Sequence, residues 1–241
     1  MNEIIEYIKE AERIVAFTGA GMSVESGIAP FRGKNGLWNE FDPEEVASAQ
    51  AFSEDPEKCW KLFKLQIEES FESEPHQGHH SLAKLEEHGL SSIITQNIDG
   101  LHQRADSSDI LELHGSLYRL VCQNCQNTFK TDRFLDEIKE GKIPRCECEK
   151  ILKPDVVLFG EALPQKVLRR AWREAEGCDI LFSLGTSAIV QPAASIPMMA
   201  KRSGAKVIEI NLEKTPLSDE VSDKFLKGKV GKKLPEIVDL L

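Results

Sequence analysis

Five short apolar runs, each ending at a polar or glycine-bearing turn, set the tightest limit on how this chain can fold. Arg13-Ile14-Val15-Ala16-Phe17, Ile93-Ile94-Thr95, Ile110-Leu111-Glu112-Leu113, Ile180-Leu181-Phe182-Ser183-Leu184 and Lys206-Val207-Ile208-Glu209-Ile210 read as buried strands. They stop at Thr18-Gly19-Ala20-Gly21, Gln96-Asn97, His114-Gly115, Gly185-Thr186-Ser187 and Asn211. Helical patterns separate them, for example Ser81 to His88 and Pro164 to Ala175. Strand alternating with helix predicts an α/β fold, a parallel sheet covered on both faces. Such sheets bind ligands beyond the carboxyl ends of their strands. The polar turns of this chain fall there.

Two segments break the alternation. Residues from about 29 to 77 are helical and loop-like, rich in Trp, Phe and acids, and residues from about 117 to 154 carry four of the six cysteines. Both read as insertions that together form a smaller module. The expected division is 1–28, 78–116 and 155–241 for the sheet domain, with 29–77 and 117–154 for the module. A chain of 241 residues that is 41% hydrophobic can bury such a core without disulfide staples. Its net charge of −10 argues against nucleic-acid binding, which needs clustered Lys and Arg to displace counterions from phosphates. Lys224, Lys227, Lys229, Lys232 and Lys233 form the one basic cluster, expected to be solvated surface.

No stretch has the ~18–20 apolar residues of a membrane span. The start, Met1-Asn2-Glu3-Ile4-Ile5-Glu6-Tyr7-Ile8, lacks a basic region and a cleavage site, so it reads as an amphipathic helix with Ile4, Ile5, Ile8 and Ala11 on one face. The expected location is cytoplasmic. In that reducing setting, paired cysteines bind metal or do redox chemistry more often than they form disulfides. Cys122-Gln-Asn-Cys125 and Cys146-Glu-Cys148 are separated by twenty residues. Two such thiolate pairs can close a tetrahedral zinc site, and four thiolates leave no open position, which indicates a structural metal. Cys59 and Cys178 lie in apolar contexts and read as core residues.

Gly19-Ala20-Gly21 after a strand starts like a dinucleotide-binding turn, but Val24 occupies the third glycine position. The longer stretch that begins at this turn is more specific. The run from Gly19 through Ala-Gly-Met-Ser-Val-Glu-Ser-Gly-Ile-Ala-Pro-Phe-Arg-Gly-Lys-Asn-Gly-Leu to Trp38 resembles the first signature of the sirtuins, NAD-dependent protein-lysine deacylases. Thr95-Gln-Asn-Ile-Asp-Gly-Leu-His102 resembles the second and Leu113-His-Gly115 the third. The cysteine quartet sits where that family carries zinc, and Val157-Leu-Phe-Gly-Glu161, Gly185-Thr-Ser187 and Asn211-Leu-Glu213 continue the match in order. The resemblance spans nearly the whole chain and is to the family's compact prokaryotic-type catalytic core. It implies a Rossmann-like parallel sheet with helices on both faces, plus a smaller helical and zinc-binding module formed by two insertions.

The resemblance also implies a chemistry. The acyl-lysine carbonyl oxygen attacks C1′ of the nicotinamide riboside, nicotinamide leaves, and an O-alkylamidate forms. His114 then promotes attack of a ribose hydroxyl, and water completes release of free lysine and O-acetyl-ADP-ribose. NAD is consumed and no hydride moves. A histidine at a strand end can serve as that base because it titrates near neutrality. By resemblance, Asn97 orients the ribose or a water, Asp99 holds the nicotinamide carboxamide, and Ile98 lines the nicotinamide pocket. Gln96 clusters with them. Phe31 covers the reactive face and Arg32 meets the pyrophosphate. Gly19, Ala20, Gly21, Ser23, Gly185, Thr186 and Ser187 offer hydroxyl or backbone donors to phosphate and ribose. Asn211, Leu212 and Glu213 serve the adenosine ribose, and Val230 lies beside adenine. The acyl-lysine of a protein substrate enters between the two modules, against Val157, Phe159 and Gly160, with Val190 as an apolar wall. Leu158 reads as sheet core and His102 as a support for the active-site loop. His76, His79, His80 and His88 have no assigned role.

Three departures stand out. Desuccinylating sirtuins carry a Tyr and an Arg, three residues apart, after the Trp that corresponds to Trp60. Phe63 and Gln66 stand there in this chain, which implies a preference for neutral acyl groups. Ala29-Pro30 replaces the usual Pro followed by Thr or Asp. Asp106 stands where Gly is common, at a turn that favours positive φ. An ADP-ribosyltransferase using the same NAD cleavage is the alternative reading, and a non-catalytic NAD- or zinc-dependent interaction module is a further one.

Overall fold

The computed structural model describes residues 1–33 and 36–241; Lys34 and Asn35, inside the first glycine-rich motif, lie outside the described residues. The chain builds nine strands among the described residues: β1 (Ile14–Thr18), β2 (Leu90–Thr95), β3 (Ile110–Glu112), β4 (Gly115–Cys122), β5 (Thr128–Lys130), β6 (Leu152–Val156), β7 (Ile180–Leu184), β8 (Lys206–Asn211) and β9 (Lys224–Lys227). Six of them form one parallel sheet in the order β3-β2-β1-β7-β8-β9. The order reverses direction between β1 and β7, which is where a doubly wound sheet opens its ligand crevice.

Every residue of β1 and β7 is buried, as both faces of a parallel sheet require. Side chains alternate between the faces. Ile14 and Ala16 pack with Ile93, Phe182 and Ile208 against the helices Asn2–Glu10, Gln77–Leu85 and Val230–Val238. Val15 and Phe17 pack with Ile94, Leu181 and Val207 against Gln165–Glu176 and Ile196–Arg202. The first helix buries Ile4 and Ile8, the apolar face expected from the sequence.

The sixth strand, β9, coincides with part of the basic cluster. Lys224 and Lys227 flank Phe225 and Leu226 on the outer edge of the sheet, and Lys224 pairs with Glu3. Lysines on an edge strand discourage pairing with another chain, so the cluster contains secondary structure as well as solvated charge.

The second sheet, β5-β4-β6, is antiparallel. It spans the cysteine-bearing segment, where the residue pattern alone does not predict strands. A proline and a lysine interrupt the apolar pattern of β6, Leu152-Lys153-Pro154-Asp155-Val156, and proline cannot donate to a ladder. The helix Pro56–Glu72 covers this sheet. Its N-cap Asp55 accepts from the Lys58 N–H at 3.0 Å, and Pro56 occupies the first turn, where its missing donor costs nothing. Trp60, Phe63 and Ile67 project from it onto Leu117, Leu120, Leu152 and Val156. The indole N–H of Trp60 donates to the Leu152 carbonyl at 2.9 Å, which satisfies the one polar atom of a buried ring.

Candidate active site

The turns after β1 and β7 meet at the reversal point of the large sheet. A Cβ at Gly19 would stand 2.7 Å from Cβ of Thr186, and one at Gly21 2.7 Å from the Gly185 carbonyl oxygen. Gly185 itself has φ +57°. The immediate reason for these glycines is therefore the crossing of two backbone turns. Thr186 joins the turn after β7 to its neighbours: Gln96 Nε2 donates to its hydroxyl at 2.9 Å, and Asn211 Nδ2 donates to its carbonyl at 3.0 Å.

After β2 the chain presents Gln96 to Asp99. Asn97 is buried, and its amide donates to the Gly19 carbonyl and to Ser23 Oγ, both at 3.0 Å. Ser23 Oγ donates in turn to Asp99 at 2.6 Å, and the Leu101 N–H donates to the other carboxylate oxygen at 3.0 Å. Burial pushes the Asp99 carboxyl above its ordinary value, and these two hydrogen bonds oppose the rise. Asp99 thus pairs with a hydroxyl and an amide instead of a cation.

His114 follows β3. Its Nδ1 lies 2.9 Å from the Gln96 carbonyl oxygen. A carbonyl only accepts, so Nδ1 carries the proton and Nε2 keeps its lone pair. Burial lowers the His114 pKa below 6.5, and the hydrogen bond to Gln96 opposes this more weakly. Gly115 has φ +80°, and a Cβ there would stand 1.9 Å from the Asp155 carbonyl oxygen, so no other residue fits beside the histidine.

His114 borders a cavity of about 240 Å³, whose wall also includes Phe31, Arg32, Gln96, Ile98, Val157, Phe159, Gly160 and Val190. Phe63 and Gln66 line it as well, from the helix Pro56–Glu72. A second space of about 30 Å³ is bounded by Ala20, Ser23, Asn97 and Asp99, and Phe31, Gln66 and Ile98 border both. Phe31 stacks on Trp38 at 5.1 Å, and Trp38 meets Phe159 at 6.2 Å. Gly19, Gly21, Gly185, Thr186, Ser187, Asn211, Leu212, Glu213 and Val230 line neither space among the described residues. Ser187, Leu212 and Glu213 are exposed, and Val230 is buried at the start of the last helix. Leu158 is core, as expected, and Asp106 takes φ +65°.

A buried polar network supports this site from behind, and no local motif announces it. Thr18 Oγ1 donates to Thr95 Oγ1 at 2.8 Å and lies 3.0 Å from His102 Nε2. Thr95 Oγ1 accepts the Asn97 N–H at 3.0 Å. His79 stacks edge-on against both His76 and His102, and His76 reaches the Met22 carbonyl at 2.6 Å while capping the helix Gln77–Leu85. A histidine at an N-cap has no common sequence signature, since Ser, Thr, Asp and Asn dominate that position.

The four cysteines converge. Cys122 and Cys148 Sγ are 3.5 Å apart, as are Cys125 and Cys146, and all four lie within 4.8 Å of one another. These separations exceed any disulfide bond. They match the edge of about 3.8 Å expected for a thiolate tetrahedron with zinc–sulfur bonds of about 2.3 Å. Each pair ends on a left-handed residue, Gln126 at φ +62° and Glu149 at φ +63°, which turns the backbone around the site. The short Cys146-Glu-Cys148 arm closes the same tetrahedron as Cys122-Gln-Asn-Cys125, so the quartet fits a closed zinc site. Cys59 and Cys178 are buried elsewhere in the core.

The model of the Sir2 family matches residues 19–192. The NAD-dependent protein deacylase 1 of Archaeoglobus fulgidus is 46% identical over 239 residues, covering 98% of this chain and 96% of that protein. A crystal structure described as a Sir2 homolog–NAD complex superposes with a TM-score of 0.90 at 44% identity, covering 100% of this chain and 93% of that one. A Sir2–p53 peptide–NAD+ complex gives 0.91 at 33% identity, covering 100% and 98%. Order of motifs, sheet topology and extent of match agree, and the chain belongs to the Sir2 family.

Proposed function

We propose that this chain is an NAD-dependent protein-lysine deacylase that releases nicotinamide, free lysine and O-acetyl-ADP-ribose. The observation that carries the reading is His114, with Nδ1 engaged by a backbone carbonyl, at the wall of a cavity shared by residues of the first insertion and of the sheet domain. Relatives described as NAD-dependent protein deacylases, and neighbours solved with NAD and with a p53 peptide, support it.

NAD supplies an activated glycosidic bond and the ADP-ribose that accepts the acyl group. Asp99, protonated more readily than an exposed carboxyl, and the Ser23 hydroxyl bind the nicotinamide carboxamide in the smaller space, with Ile98 as its apolar floor. Asn97, fixed by Gly19 and Ser23, orients the reacting ribose. His114 Nε2 takes the proton of a ribose hydroxyl. Phe31, stacked on Trp38, shields the reaction from water, which strengthens every dipole aimed at the developing charge. Arg32 and the backbone N–H groups around Gly19, Ala20, Gly21 and Gly185 serve the phosphates, together with Thr186 and Ser187. Asn211, Leu212, Glu213 and Val230 serve the adenosine. Val157, Phe159, Gly160 and Val190 receive the acyl-lysine and its flanking peptide.

Cys122, Cys125, Cys146 and Cys148 would hold a zinc ion, whose role with four thiolate ligands would be structural. The functional division follows the chain: 1–28, 78–116 and 155–241 bind NAD, while 29–77 and 117–154 form the module that closes over it. We place the enzyme in the cytoplasm, acting on proteins and not on nucleic acid, on the strength of its unpaired thiols and its charge of −10; no helix among the described residues is long and apolar enough to cross a membrane. Replacing His114 by Ala tests the reading: NAD binding persists and lysine release falls by about 10²–10⁴-fold.

A further inference from the structure

Lys153 is a charged residue in an unexpected place. It lies on β6, is 5% exposed, and points its ammonium at the Val156 carbonyl oxygen at 2.6 Å. Its second partner is the Glu161 carboxylate at 3.2 Å, and the same Glu161 oxygen accepts the Leu158 N–H at 2.9 Å. A buried ammonium is costly unless paired and hydrogen-bonded. Here both requirements are met by the two ends of one loop, 156 to 161.

That loop is also held from outside. The Val157 N–H donates to the His114 carbonyl, and Phe159 exchanges hydrogen bonds with Ala47 and Ala49, each at 2.9 Å. The Glu161 N–H turns back onto the Leu158 carbonyl at 2.9 Å, and Gly160 takes φ +89° to make that turn. Among the backbone groups of this stretch that have no partner among the described residues are the Val157 carbonyl and the Gly160 N–H. Both residues line the large cavity. An extended peptide added alongside needs such free backbone groups in fixed positions.

We infer that Lys153 and Glu161 form an internal clamp that sets the conformation of residues 156–161 for binding the peptide backbone of the acyl-lysine substrate. Both are positioning residues, and the inference rests on the deacylase reading above. The ammonium fixes the Val156 peptide unit from below, the carboxylate fixes that of Leu158, and Val157 between them is left to face the substrate. Lys153 lines neither space, and Glu161 lines only the large one, beside Val157 and Gly160, so the clamp acts on peptide affinity and not on the chemical step.

Steady-state kinetics with an acetyl-lysine peptide, together with calorimetric NAD binding, test this. Lys153→Met keeps an unbranched side chain one atom shorter and removes the charge. It raises the peptide KM about tenfold, a change in binding equivalent to roughly one lost charge-assisted hydrogen bond. It leaves kcat within about twofold and NAD affinity unchanged, because the bond-making groups stay in place. Lys153→Arg restores most of the loss, since it returns a cation to the same two oxygens. Glu161→Gln, on a more accessible residue, raises KM in the same direction and serves if Lys153→Met does not fold. An unchanged peptide KM in the folded variants overturns the clamp, and so does an equal fall in kcat and NAD affinity. A wild-type protein that binds NAD but releases no lysine contradicts the deacylase reading, and the clamp with it.

Discussion

The Nδ1 nitrogen of His114 sits 2.9 Å from the carbonyl oxygen of Gln96, the residue next to Asn97. One hydrogen bond therefore links the proposed base to the loop proposed to hold the cosubstrate, and it fixes the tautomer with Nε2 unprotonated. His114→Ala should lower the rate of lysine release by about 10²–10⁴-fold, the usual range for loss of a positioned base, with NAD affinity retained. Burial lowers the His114 pKa from 6.5. The base is active when neutral, so the acidic limb of kcat/KM should have its midpoint below pH 6.5, and a midpoint above that value contradicts the assignment.

The histidines behind the site affect stability. Burial pushes His79 down to about 2 and His102 to about 3 from 6.5, and both are almost fully inaccessible. The unfolded chain binds protons there that the folded chain refuses, so their contribution is present above pH 6.5 and is lost as pH falls. From about pH 7.5 to about pH 5 each should cost about 2 kcal/mol of folding free energy, roughly 4 kcal/mol together. Asp99 has the opposite sign, because its folded pKa is raised. Urea titrations of wild type and of His102→Gln at the two pH values separate these effects. The variant should lose about half of the histidine-linked slope.

The cysteines divide into two classes. Native protein should contain one zinc per chain, with Cys122, Cys125, Cys146 and Cys148 protected from thiol reagents by the metal. Cys59 and Cys178 are protected by burial alone, which also raises the pKa of both thiols, that of Cys178 to about 12. Chelation should expose the first four together. It should also unfold β4 to β6 and stop turnover, because the ligands sit on the turns that shape that sheet. Partial labelling of a single cysteine pair would contradict a shared site.

Acyl preference rests on Phe63 and Gln66. Both line the large cavity, and neither can neutralise a carboxylate as a guanidinium would. With Arg32 on the same wall given over to the NAD phosphates, a succinyl carboxylate would meet Trp38, Leu62 and Phe63 without a cation of its own. Acetyl-lysine peptide should be turned over at least about tenfold faster than succinyl-lysine peptide in kcat/KM, and Gln66→Arg should narrow the gap. Equal turnover of the two by wild type contradicts the preference.

Much of this is legible in the residues. Strands β1, β2, β3, β7 and β8 are largely apolar runs ended by polar turns, and the physics of a parallel sheet writes that pattern directly into sequence. The cysteine spacing shows the metal site because zinc accepts few geometries. The small sheet is hidden because Lys153 and Pro154 break the apolar run of β6, and only tertiary contacts satisfy that lysine. Strand β9 is hidden because its lysines mark an edge, which looks like any solvated surface. Gly19 and Gly21 suggest phosphate contact, whereas their crossing with Gly185 and Thr186 is a long-range contact that no local pattern encodes. His76 is silent in the sequence for the same reason: its partner Met22 is a backbone group 54 residues away.

A product balance decides the chemistry. The protein is incubated with NAD and an acetyl-lysine peptide, and nicotinamide, free lysine peptide and O-acetyl-ADP-ribose are measured together. A deacylase that uses His114 as its base forms equal amounts of all three, and His114→Ala lowers lysine release by about 10²–10⁴-fold. Nicotinamide formed without free lysine and without O-acetyl-ADP-ribose would contradict this assignment, and would point to ADP-ribosyl transfer or NAD hydrolysis instead.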